Sequence, residues 1–101
     1  MNQLTFYVPE KKHYAGMPLY EWLLEEAKGL GIHGGSAFRA IAGFGRHGRL
    51  REETFFELAG ELSVKVEFIL EDAIAEQLME RVRAHNMDVF YVRHTVQSGI
   101  V

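Results

Sequence analysis

With 101 residues, 48% of them hydrophobic and 25% charged, the chain has the profile of one soluble globular domain and is too short for a second. Eleven Lys and Arg against fourteen Asp and Glu give a formal charge of -3, which excludes global attraction to nucleic acid, and the absence of cysteine excludes a disulfide framework, a thiol nucleophile and a thiolate metal site. No uninterrupted apolar run approaches the roughly 18 residues of a spanning helix, and MNQLTFYVPEKK has no basic region followed by an apolar stretch, so no membrane insertion is expected and the cytoplasm is the expected compartment.

Leu4, Phe6 and Val8 alternate with Thr5 and Tyr7, the period of two of a strand whose faces meet different surroundings, and Pro9 ends it. From Pro18 to about Gly31, a helix places Tyr20, Leu23, Leu24, Ala27 and Leu30 on one side and Glu21, Glu25, Glu26 and Lys28 largely on another. Pro18 suits the first helical position, where its missing N–H has no intrahelical partner, and Gly29 or Gly31 supplies the left-handed turn that stops the helix. After Gly34 and Gly35, SAFRAIAGFG reads as a strand in which Phe38, Ala40 and Ala42 alternate with Arg39 and Ile41.

The clearest strand follows, with Val64, Val66, Phe68 and Leu70 alternating with Lys65, Glu67 and Ile69. Asp72 is placed to cap a second helix, on which Ile74, Leu78 and Val82 repeat every four residues, Met79 widens the stripe and Asn86 terminates the run. In DVFYVRHTV, Phe90, Val92, His94 and Val96 alternate with Val89, Tyr91, Arg93 and Thr95. The order β-α-β-β-α-β is α+β and ferredoxin-like. Two right-handed crossovers put both helices on one face of a four-stranded antiparallel sheet. The other face is expected to carry Tyr7, Ile41, Ile69 and Tyr91 among Arg39, Lys65, Glu67 and Arg93, and self-association is the simplest use for so apolar a surface.

The densest chemical feature is Gly43-Phe44-Gly45-Arg46-His47-Gly48-Arg49-Leu50-Arg51, with Arg39 just upstream. Glycines let a backbone approach a ligand and turn its N–H groups toward an anion, and arginines offer forked donors matched to phosphate or carboxylate. The candidate ligand-binding residues are therefore Gly43, Gly45, Arg46, His47, Gly48, Arg49, Arg51 and Arg39; a solvated loop whose charges serve solubility has the same composition. The glycines match G-x-G-x-x-G, but the dinucleotide fingerprint needs a strand-turn-helix inside a parallel unit, which this order does not provide, and no Gly-Lys-Ser or Gly-Lys-Thr of a Walker loop occurs.

The five histidines form no i,i+4 pair and none accompanies a Glu in a zinc-enzyme pattern, so no metal is expected. His94, on a strand face with Phe90 and Val92, is expected to be partly buried and hydrogen-bonded. Ser36, Ser63 and Ser98 lie in no G-x-S-x-G elbow, and Glu25-Glu26, Glu52-Glu53 and Glu71-Asp72 are explained by a solvated helix face, a loop and a helix N-terminus. No catalytic residue and no cofactor is assigned, and the chain is read as non-enzymatic.

Gly16-Met17-Pro18-Leu19-Tyr20-Glu21, then Arg39-Ala40-Ile41-Ala42-Gly43-Phe44-Gly45 and the strand from Val64 to Leu70, together resemble the bacterial family catalogued as domain of unknown function one-nine-zero, a branch of the PII-like nitrogen-regulatory superfamily. The resemblance implies a ferredoxin-like subunit that forms a homotrimer, binds a small anionic metabolite such as an adenine nucleotide at inter-subunit clefts, and signals to a protein target through a mobile loop after Gly45. Family members often carry a His where this chain has Arg51 and a Pro where it has Ser63. The alternative is a trimeric interaction or metal-tolerance-type protein whose loop contacts a protein partner without a metabolite.

Overall fold

A computed structural model describes residues 1–43 and 62–101. Strand β1 spans Asn2–Pro9; a short ribbon follows, with β2 at His13–Tyr14 and β3 at Met17–Pro18. Helix α1 spans Leu19–Gly29, β4 Ser36–Arg39, β5 Ser63–Leu70, α2 Asp72–Arg83 and β6 Phe90–Thr95. The main sheet has the order β4-β5-β1-β6 with every neighbouring pair antiparallel, the ferredoxin-like arrangement that the element order predicts.

Burial follows the alternation of the two central strands. Leu4, Phe6 and Val8 of β1 and Val64, Val66, Phe68 and Leu70 of β5 point into one core, and both helices cover it with Leu19, Trp22, Leu23 and Ala27 of α1 and Ala75, Leu78, Met79 and Val82 of α2. Removing side chains of this size from water stabilises by roughly 1.5 to 3 kcal/mol each, and that burial holds the helices to the sheet. On α1 the buried stripe is rotated from the predicted one: Leu19 and Trp22 are buried, whereas Tyr20, Leu24 and Leu30 are only partly covered.

Local signals are corrected in three places. Pro18 is not the first helical residue but the residue before it, extended at φ -56° and ψ 140° and paired with His13 across the ribbon. This shape lets the Leu19 N–H bond the Lys12 carbonyl at 2.7 Å, so the start of α1 is tied to the ribbon. Asp72 does not cap α2; its Oδ1 accepts from the Asn2 amide, which is buried at the end of β1 and needs a partner more than the exposed helix end does. The strand predicted over SAFRAIAGFG is limited, among the described residues, to Ser36–Arg39. Two terminators hold: Gly31 takes the left-handed φ of 82° after α1, with Ile32 N–H bonded back to Ala27 O, and Asn86 takes φ 56° after α2. The β2–β3 ribbon, turned by Ala15 and Gly16 at φ 55° and 83°, had no signal in the apolar pattern because two-residue strands show no alternation.

Candidate functional site

Because strand side chains alternate, the register determines what the helix-free face presents. One cross-sheet row reads Phe38, Lys65, Tyr7, Phe90; the next reads Ser36, Glu67, Thr5, Val92; Ile69, Gln3 and His94 form the third. The Lys65 ammonium lies 5.4 Å from the centre of the Phe38 ring, and the Tyr7 and Phe90 rings are 5.7 Å apart. Glu67 accepts from Gln3 Nε2 at 2.8 Å and pairs with Lys65 at 3.3 Å, and beneath them Thr5 is buried. Phe90 remains 68% exposed, Phe38 48% and Ile69 47%.

The face is thus as apolar as expected but is populated differently. Tyr7, Ile69, Lys65 and Glu67 belong to it; Tyr91 and Arg93 do not, since they pair with Phe6 and Leu4 on the helix-covered side, where Arg93 donates to Glu76 of α2 at 2.5 Å. Phe90, Val92 and His94 take their place, and His94 is exposed rather than partly buried. Arg39 pairs with Val64 and has helix-side parity, while Ile41 lies past the end of β4 at 96% exposure. Both errors come from edge strands, in which neither face is buried deeply enough for composition to mark the inner one.

At the β4 edge of this face Tyr7, Phe38, Arg39, Ala40, Ser63 and Lys65 line a shallow hollow of about 200 Å³. Its surface is almost wholly apolar: the Tyr7 and Phe38 rings belong to this face with the Lys65 ammonium near the Phe38 ring, whereas Arg39 has the opposite parity. Arg39 Nε donates to Glu10 Oε2 at 2.7 Å. Two backbone bonds sit beside the hollow, Ala40 N–H to Ser63 O at 2.9 Å and Glu10 N–H to Leu62 O at 3.1 Å, so Leu62, which follows segment 44–61, and Ala40, four residues before it, are fastened to this corner of the sheet.

Of the sequence candidates, Arg39 lines the hollow and Gly43 lies four residues beyond it, exposed, where an added Cβ would meet open space. Gly45, Arg46, His47, Gly48, Arg49 and Arg51 lie outside the described residues. Phe38, Lys65, Tyr7 and Glu10 were not assigned to a site from sequence. The alternation of β5 marked Lys65 as leaving the core, but nothing local joins it to Tyr7 or Arg39.

A second cluster lies at the helix ends. Tyr14 Oη and His85 Nδ1 share a hydrogen bond of 2.8 Å, and Trp22 stacks edge-on with both rings at 5.0 and 4.8 Å. One turn further along the α1–α2 seam, Arg81 donates to Glu26 at 2.9 Å. These contacts fasten the ribbon and the two helices together. Among the described residues, no group of three or more His, Asp or Glu is arranged to hold a metal ion, and no helix is long and apolar enough to cross a membrane.

Comparisons with known proteins agree with this architecture. A family model, DUF190, described as an uncharacterized ACR, matches residues 1–98. A UPF0166 protein of Aquifex aeolicus (strain VF5) is 37% identical over 84 residues, covering 82% of this chain and 80% of that relative. Among solved structures, a protein of Thermus thermophilus described as PII-like and signaling matches with a TM-score of 0.60 at 18% identity, over 92% of this chain and 83% of its own; the likeness is one of fold.

Proposed function

Since the chain belongs to the DUF190 family and has a PII-like fold, we propose that it is a non-enzymatic regulatory protein whose hollow beside β4 takes a small anionic metabolite, most simply an adenine nucleotide, and whose segment after Gly45 signals occupancy to a protein target. The observation that supports the reading is the meeting of Tyr7, Phe38 and Lys65 in a hollow close to Leu62, the first described residue after segment 44–61. A base can lie against the rings while the phosphates turn toward Lys65 and toward Arg46, Arg49 and Arg51, which follow in the chain after Arg39. Binding then sets the conformation of that segment, which presents or withdraws a partner surface, and no chemistry on the ligand is required.

The hollow of about 200 Å³ is smaller than the roughly 300 to 1,000 Å³ of typical small-ligand sites, which supports completion by a second copy. The exposure of Phe38, Tyr7, Phe90 and Ile69 on one face supports the same assembly, and the expected state is a homotrimer, read by sedimentation equilibrium.

Calorimetric titration with ATP, ADP and AMP tests the ligand. The protein is expected to bind at least one of them, and replacing Arg46, Arg49 and Arg51 together with Gln is expected to abolish binding while the trimer persists. Charge-assisted hydrogen bonds are worth roughly 1.5 to 3 kcal/mol each, so even partial additivity moves a micromolar Kd beyond millimolar. A triple variant that binds as tightly as the parent refutes the arginine role. A parent that binds none of the three nucleotides makes the loop a surface for a protein partner instead.

A further inference from the structure

Two apolar features of the chain lie at opposite corners of the sheet. One is the hollow at the β4 edge, where the Phe38 ring stays 48% exposed beside Tyr7. The other is the stretch that follows β6. Val96 N–H makes a last bond to Met1 O, and from there Gln97-Ser98-Gly99-Ile100-Val101 leaves the sheet with Ile100 and Val101 fully exposed. Aliphatic side chains gain by leaving water, yet this stretch cannot cover the hollow of its own copy. β6 runs antiparallel to β1, from Phe90 beside Tyr7 to Thr95 beside Asn2, so it carries the chain away from the hollow. From Met1, beside Val96, back to the row of Tyr7, Lys65 and Phe38 is about 20 Å along the strands, and β4 lies three strand spacings from β6, about 14 Å across, which places Phe38 about 24 Å from Val96. Ile100 is four residues past Val96, a reach of at most about 14 Å when fully extended and less once the chain has reversed direction.

Resting on the self-association reading above, we propose that the stretch from Gln97 to Val101 is a clasp between copies: Ile100 of one copy seats against the Phe38 ring at the β4-edge rim of a second copy's hollow. The two surfaces are alike in chemistry, since the hollow is almost wholly apolar and the stretch has no charged side chain to desolvate. Each feature is open in a lone copy, and each is what the other lacks. Clasp and hollow sit at different corners of one subunit, so the contact runs head to tail and closes into a ring when the rotation between copies allows it.

The test is disulfide trapping, which has no background because the chain has no cysteine. The double variant Phe38→Cys/Ile100→Cys should give covalent multimers on a non-reducing gel after mild oxidation, since a disulfide forms only where two Cα atoms come within about 7 Å. Mixing the two single variants, one of them carrying a mass tag, should give the mixed pair in excess over either like pair. Glu21→Cys/Ile100→Cys, whose first site is exposed on α1 and away from the hollow, should not be trapped. Ile100 is fully exposed in its own copy, so Ile100→Asp should leave the circular dichroism spectrum as it was while weakening association about tenfold or more in sedimentation. With an oligomeric parent, any one of four results overturns the clasp alone: no mixed disulfide, a double variant that loses its free thiols yet stays monomeric on the gel, equal trapping of the Glu21 pair, or an Ile100→Asp variant that associates as tightly as the parent. A parent that is monomeric in sedimentation overturns self-association, and the clasp with it.

Discussion

Gly35 immediately precedes β4 and so sets how that strand, with Phe38 and Arg39, is laid against β5. An added Cβ would lie 2.4 and 2.7 Å from two carbons of the Phe68 ring and 3.2 Å from Leu24 Cδ2. The Leu24 methyl is on a partly buried side chain and can yield; the Phe68 ring is 2% exposed, paired opposite Leu4 in the core, and has no room to step aside. Overpacking of this kind costs about 1 to 3 kcal/mol. Replacing Gly by Ala also removes freedom from the unfolded chain, a gain of about 0.4 to 1 kcal/mol where the backbone accepts it, and Gly35 has no left-handed φ to forbid a side chain. The net expectation for Gly35→Ala is a loss of about 0.5 to 2 kcal/mol. Gly34→Ala provides the comparison, since its Cβ would meet nothing within 4 Å and only the gain should remain. Urea unfolding of both variants at one protein concentration measures the difference, and the fixed concentration removes mass-action effects of assembly. If Gly35→Ala is as stable as Gly34→Ala, Phe68 is not pinned as described, and the account of how β4 is positioned fails with it.

Phe90→Lys places a charge on the most exposed ring of the helix-free face; it should change subunit stability by no more than about 0.5 kcal/mol while lowering the mass found by sedimentation, and an unchanged oligomeric mass would remove Phe90 from the interface. Tyr14→Phe deletes the hydroxyl that bonds His85 and should cost about 0.5 to 1.5 kcal/mol in denaturant unfolding, with a shift in emission from Trp22, the single tryptophan; no change in either would mean the bond contributes nothing to fastening the ribbon.

The core of the fold was legible in the sequence wherever consecutive residues carry the signal. Leu4, Phe6 and Val8, the run from Val64 to Leu70, and the Leu78 and Val82 stripe lie at the spacings a strand or helix imposes, and their order dictates the sheet topology through right-handed crossovers. The family resemblance was legible for the same reason, since its two motifs are contiguous runs. The edge strands were not. β4 and β6 are exposed on both faces, so their own residues do not mark which side meets the helices, and only pairing with β5 and β1 shows that Phe38 and Phe90 join Tyr7 while Tyr91 and Arg93 turn inward. The polar pairs were still less accessible: Arg39 meets Glu10 across 29 residues, and Gln3 meets Glu67 across 64. The sequence by itself determined the order of the elements and which residues of the two central strands leave water. The tertiary structure alone decided which polar side chains face one another, because periodicity is a property of neighbours along the chain and register is a property of strands brought together by the core beneath them.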